Sequence, residues 1–366
     1  MTPRHSLYSS TDHFLKNQKV LDLYESKCYN RFSYATYKEV LEVVHLSYIE
    51  VNNLRKTFSV RKKREKGKLF REKEIVDALK GISFTVEKGE LVGYIGPNGA
   101  GKSTTVKILS GILTPESGEV KVGGRIPWKD RKEYVKHIGV VFGQRSQLWW
   151  DVPIIDSFSL LKDIYRIPEQ DYQNRLKELT DALQLEKLMK TPLRLLSLGQ
   201  KMRAELCGSL LHKPELLFLD EPTIGLDAVS KLALRDFLKW ENKEHRTTIM
   251  LTTHDMEDIA ALCPRVMVLG HGQKLFDGNL RELLEKFDTV RTVAIKYDGD
   301  TPKLDLPSGV EVNYKDGELY ITYSPADFPT ADMLAILQKA GTISEMTLQS
   351  ENIDHLIATM YKEMDL

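Results

Sequence analysis

Short, continuously apolar runs alternate along this chain with longer segments in which apolar residues recur every three or four positions, predicting buried strands interleaved with helices. Leu91-Val92-Gly93-Tyr94-Ile95, Leu216-Leu217-Phe218-Leu219 and Thr248-Ile249-Met250-Leu251 are such runs, and Tyr48-Ile49-Glu50-Val51 reads as an earlier strand. Thr104 to Leu113 has helical spacing, as does Lys201 to Leu211 through Met202, Leu206 and Leu210. From Gln144 to about Pro192 the pattern is helical, with Phe158, Leu160, Leu161, Ile164 and Tyr165 predicted on one apolar face and Leu176, Leu179, Leu183 and Leu188 on another. After Phe287 the period changes. Val290 to Tyr297, Val310 to Tyr314, Leu319 to Tyr323 and Ile343 to Leu348 read as strands. Thr330 to Ala340, closed by Gly341, and Ser350 to Met364, with Ile353, Leu356, Ile357 and Met360 on one face, read as helices. Residues 1–46 are mixed in charge and tyrosine-rich, with a weak helical pattern around Tyr34 to Val44 and no evident chemistry.

Chemistry gathers at the ends of the apolar runs. Gly96-Pro97-Asn98-Gly99-Ala100-Gly101-Lys102-Ser103, followed by Thr104, is a phosphate loop set between a strand and a helix. Glycines let successive N–H groups turn inward toward phosphate oxygens, and the helix presents its positive end. Lys102 would reach the β- and γ-phosphates, and Ser103 would place its hydroxyl on Mg²⁺. The four fixed positions match by accident in roughly one chain in a hundred of this length, and the flanking strand and helix make accident rarer. The run ending in Asp220-Glu221 puts two carboxylates at the C-terminal end of a strand, where ligand crevices lie. Asp220 suits the Mg²⁺ shell, and Glu221 is placed to polarise a water for attack on the γ-phosphate. In Leu196-Ser197-Leu198-Gly199-Gln200, Ser197 is a natural N-cap; a serine hydroxyl, glycine N–H groups and a helix start make a second phosphate-binding surface. The chain thus carries two complementary half-sites.

These motifs closely resemble the nucleotide-binding domain of ATP-binding cassette (ABC) transporters, whose signature is Leu-Ser-Gly-Gly-Gln; here Leu198 stands in place of the first glycine. The resemblance implies an α/β fold, a P-loop NTPase of ABC type with a RecA-like core, an antiparallel β subdomain and a helical subdomain at about 145–192. It also implies ATP and Mg²⁺ as ligands, with Ser197, Gly199 and Gln200 meeting the γ-phosphate. Further positions follow in family order. Val140-Val141-Phe142-Gly143-Gln144 looks like the strand into the Q-loop, with Gln144 on Mg²⁺ and the attacking water and Gln147 a substitute. Ile224-Gly225-Leu226-Asp227 looks like the D-loop, in which Asp227 would cross a dimer interface. In Thr252-Thr253-His254-Asp255, His254 would hold the γ-phosphate. Phe58 is the candidate for stacking on adenine, with Phe70 second; either ring could equally be core packing. Trp149 and Trp150 fall where the family receives a coupling helix, and are open to burial or exposure.

On this reading residues 1–46 are an extension, helical or poorly ordered, 47–286 the nucleotide-binding domain, and 287–366 an accessory α+β domain similar to that of export-type ABC ATPases, including the drug-efflux branch. At 366 residues two or three units are expected. Lys+Arg and Asp+Glu balance at 52 each, so nucleic acid is not an expected partner. Arg61 to Glu74 holds eight basic and three acidic residues, either a solvated loop or a contact with anionic headgroups. Cys28, Cys207 and Cys263 lack metal-ligand spacing and read as free thiols of a reducing compartment. No apolar run approaches 18 residues, and Met1 to Ser10 lacks a secretory core. The family then implies an integral-membrane permease partner, a second copy of the chain or a paralogous ATPase, and a cytoplasmic, peripheral place on the inner face of the membrane. The alternative is a soluble ABC-type ATPase uncoupled from transport.

Overall fold

Each apolar run becomes a strand of one sheet. The structure, a computed structural model, describes residues 47–61, 73–143, 146–287, 290–297, 304, 306–315, 318–350 and 362. The expectations for residues 1–46, Gln144, Phe70, most of the basic stretch and the final helix lie outside them. Strands up to residue 287 are β1 (Ser47–Arg61), β2 (Lys73–Glu87), β3 (Leu91–Ile95), β4 (Ser117–Val122), β5 (Ile138–Phe142), β6 (Leu216–Asp220), β7 (Thr248–Thr252), β8 (Arg265–Gly270) and β9 (Gln273–Asn279). A six-stranded sheet has the order β5-β6-β7-β3-β8-β9, parallel except for the β8–β9 hairpin. β3 and β7 are buried at every residue, as strands covered on both faces must be. A second, antiparallel sheet has the order β2-β1-β4. Its first strand does not stop at Val51 as the sequence suggested: it runs on to Arg61, paired with β2 through Arg61↔Lys73.

Up to residue 287 the described helices longer than four residues are α1 (Lys102–Leu109), α2 (Ile154–Tyr165), α3 (Glu169–Ala182), α4 (Leu198–Leu210), α5 (Ala228–His245), α6 (Met256–Leu262) and α7 (Leu280–Phe287). Pro153 and Pro168 precede α2 and α3, where a missing N–H costs nothing. One predicted face holds only in part. In α2 the buried side chains are Ile154, Ser157, Phe158 and Leu161, while Leu160 and Ile164 are exposed on another side. The helix is apolar around more than one stripe, so spacing alone could not choose between them. α3 is fixed by Arg175, whose Nη2 donates to both carboxylate oxygens of Glu241 in α5 at 2.8 and 2.9 Å. Both side chains are about 1% exposed. Arg175 Nε also donates to the Leu210 carbonyl oxygen at the end of α4 (3.3 Å).

Beside this pair, His212 stacks on Tyr165 with ring centroids 3.9 Å apart, and its Nε2 donates to the Ile138 carbonyl oxygen at 2.9 Å. Burial pushes its pKa down from 6.5 to about 4. The unfolded chain therefore takes up this proton first, so stability is intact above pH 6.5 and erodes as pH falls toward 4. About 2–3 kcal/mol should be lost between pH 6.5 and 4.5 through this residue. Urea melts across that range should show a shallower pH dependence in His212→Gln, and identical slopes would reject the assignment.

Past residue 290 lies a separate core. β10 (Arg291–Tyr297), β11 (Glu311–Lys315), β12 (Glu318–Tyr323) and β13 (Ile343–Ser350) form an antiparallel sheet of order β11-β12-β10-β13, and α8 (Thr330–Ala340) lays Met333 and Leu337 on Val293, Ile295, Leu319, Ile321 and Tyr323. The strands and helix fall where their alternation predicted. Gly341 follows α8 with extended backbone, φ 176°, so the stop uses no left-handed residue.

Candidate nucleotide site

β3 delivers the chain into the phosphate loop through Gly96, which only glycine can occupy: at φ 152° a Cβ would lie 2.3 Å from the Leu269 carbonyl oxygen of β8. Pro97 then turns the chain, its carbonyl accepting from Ala100 N (3.1 Å), and leaves Asn98 and Gly99 exposed. Lys102, 6% exposed, donates to the Gly96 and Pro97 carbonyl oxygens at 2.6 and 3.1 Å, so the loop curls around its ammonium. Burial lowers the Lys102 pKa; Glu221 and Asp220 pull it back upward without cancelling the effect. No side chain caps α1, whose first N–H groups, around Ser103 and the half-buried Thr104, are left to an external acceptor. Behind the loop, Tyr94 donates to Thr105 Oγ1 (3.1 Å), and Thr105 donates to the Gly101 carbonyl (3.1 Å), bracing the turn from the core side.

The carboxylates arrive from β6. Asp220 Oδ1 accepts from Ser103 Oγ at 3.2 Å and from Thr252 Oγ1 at 2.5 Å. Thr252, at the end of β7, is a site residue that the sequence reading passed over. Its only signal was its place beside Thr253-His254. Glu221 has left-handed backbone, φ 56°, with its N–H donating to the Thr252 carbonyl (2.9 Å). A non-glycine residue there carries about 1–3 kcal/mol of strain, a cost that clusters at functional sites. The twist turns the Glu221 carboxylate toward His254, whose Nδ1 is 3.0 Å from Oε2. Gly143 packs so closely that a Cβ would meet the Glu221 carbonyl oxygen at 2.2 Å, and its N–H donates to the Asp220 carbonyl (2.9 Å). Its neighbour Gln144 lies outside the described residues. Gln147 is no substitute: its Nε2 donates to the Glu205 carbonyl of α4 at 2.9 Å.

Ser103 and Asp220 are hard oxygen donors in mutual contact, a fit for Mg²⁺, which keeps most of its shell for water and phosphate. Among the described residues no cluster of three or more His, Cys, Asp or Glu offers an all-protein cage. Asp255, next to His254, caps α6 through Glu257 N and Asp258 N and binds the Lys231 ammonium of α5. Burial works against its charged form, yet Lys231 holds its carboxyl below the usual range.

Ser197 is the N-cap that its place in the sequence predicts. Ser197 caps α4 by accepting from Gln200 N (3.3 Å), and Gln200 Oε1 returns the bond by accepting from Ser197 N (2.9 Å), a reciprocal box that fixes the helix start. Gly199 is buried and Leu198 exposed. Asp227 caps α5 by accepting from Ser230 N at 2.7 Å and is itself exposed. Phe58 is half-buried on β1 opposite Val76, with Lys56 Nζ 5.5 Å from its ring centroid. Trp149 and Trp150 resolve as exposed, at 43% and 54%.

A family sequence model described as "ABC transporter" matches residues 79–224. The methionine import ATP-binding protein MetN 2 of Enterococcus faecalis is 30% identical over 296 residues, 80% of this chain and 79% of that protein. The linearmycin resistance ATP-binding protein LnrL of Bacillus subtilis is 33% identical over 225 residues, 61% and 71% of the two chains. The solved dimer of the ATP-binding cassette MJ0796, in a post-hydrolysis state bound to ADP and Pi, aligns with a TM-score of 0.54 at 27% identity, covering 64% of this chain and 99% of that one.

Proposed function

This chain belongs to the ABC transporter family as an ATP-binding subunit that hydrolyses ATP, and from that premise we propose that two copies close head to tail on ATP to drive a membrane permease. One observation carries the residue roles: the convergence of Lys102, Ser103, Asp220, Glu221 and His254 at the C-terminal ends of β3, β6 and β7. Lys102 and the unpaired N–H groups of the loop and the start of α1, around Gly99 and Gly101 to Thr104, bind the β- and γ-phosphates. Phe58 stacks on adenine. Ser103 and Asp220, with Gln144, would hold Mg²⁺, which would supply positive charge against the β- and γ-phosphates. Glu221 orients and deprotonates the water, while His254 steadies its carboxylate and reaches the γ-phosphate. Ser197, Gly199, Gln200 and Asp227 act on the second copy's nucleotide across the interface.

Exposed Trp149 and Trp150 support a protein partner on the helical layer, and no described helix is long and apolar enough to cross a membrane itself. The subunit would then sit at the inner face of the membrane through its permease. Export is the direction we favour, on the strength of the relative named for linearmycin resistance; a relative named for methionine import matches as well. Residues 287–366 would support or regulate the dimer. Light scattering of Glu221→Gln with Mg²⁺ and ATP should give a dimer that ADP does not, and a particle of one mass under all conditions would reject head-to-tail closure.

A further inference from the structure

The surface bearing Trp149 and Trp150 is fastened to α4 at two points. Glu205, a carboxylate only 6% exposed, accepts from the Ser146 hydroxyl and from the Gln147 N–H (3.1 Å), while its own carbonyl accepts from Gln147 Nε2 (2.9 Å). One turn nearer Ser197, Lys201 Nζ stands 4.5 Å from the Trp150 ring centroid. Residues four apart share a helix face, so Lys201 and Glu205 grip the same segment. Between the two grips Leu148 is buried in the core, and its N–H donates to Ser146 Oγ (3.0 Å). Burial raises the Glu205 pKa, and the Ser146 and backbone donors only partly offset it. A buried carboxylate is a costly way to fold a helix already anchored by Met202, Leu206 and Leu210. Its return is a rigid joint.

We propose that Glu205 is a positioning residue for ATP hydrolysis: it locks residues 146–150 to α4, so that displacement of the tryptophan surface is carried to Ser197 as movement of one body. The proposal rests on the ATPase reading above. It is tested in the full chain with Glu205→Ala, Glu205→Gln and Ser146→Ala, measuring kcat, KM, nucleotide Kd and melting temperature. Glu205→Ala should lose roughly tenfold or more in kcat, since small misplacements are costly in catalysis, with Kd for ATP within about twofold. Glu205→Gln, which keeps an acceptor oxygen, should recover most of that kcat, and Ser146→Ala should lose about threefold by the same argument. Wild-type kcat in Glu205→Ala, or a loss that tracks Kd or that Glu205→Gln leaves unrepaired, would overturn the proposal. Should Glu205→Ala fail to fold, an unchanged kcat in Ser146→Ala overturns it. A wild-type chain without ATP hydrolysis would instead remove the ATPase reading, and the proposal with it.

Discussion

Replacing Glu221 by Gln is expected to lower ATP turnover by roughly 10²- to 10⁴-fold, the range for removing a general base, while ATP still binds. Gln preserves shape and an acceptor oxygen, so the contact with His254 Nδ1, now 3.0 Å from Oε2, can persist. What disappears is the capacity to take a proton from water. Because the left-handed backbone at φ 56° is set by the Gly143 contact and the Thr252 carbonyl, the substitution should leave the melting temperature nearly unchanged. Phosphate release measured beside nucleotide binding decides the matter: turnover at wild-type level would show that another group serves as base.

Lys102→Ala should act one step earlier, on binding. Its ammonium is buried and committed to the Gly96 and Pro97 carbonyls, and the same charge is the one placed to meet the phosphates. Removing one member of a buried charge pair costs about 2–4 kcal/mol, roughly 30- to 1,000-fold in Kd. The two carbonyls also lose their donor, so the loop itself should loosen. Titration with a fluorescent ATP analogue gives the answer, and unaltered affinity would remove Lys102 from the site.

Much of this site was legible because phosphate chemistry writes itself into short contiguous motifs: residues 96–103, Asp220-Glu221, Ser197 to Gln200 and His254 each declare a turn, a strand end or a cap. The strands were readable for a similar reason, since β3, β6 and β7 are buried on both faces and leave uninterrupted apolar runs. What stayed hidden depends on distant partners. Thr252 matters through Asp220, thirty-two positions away, and Glu205 through Ser146, fifty-nine away. Neither has a local pattern. The α2 face was assigned only in part because Leu160 and Ile164 are as apolar as the buried Phe158 and Leu161, and only packing separates them. The extension of β1 to Arg61 was missed because its outer half is paired on a polar, partly exposed ribbon.

The doubly bonded Arg175–Glu241 contact has a mechanical consequence. Parting α3 from α5 would strand a charge in the interior, at about 3–5 kcal/mol. α3 and α5 should therefore travel together, and Arg175 Nε, held by the Leu210 carbonyl, draws the end of α4 along with them.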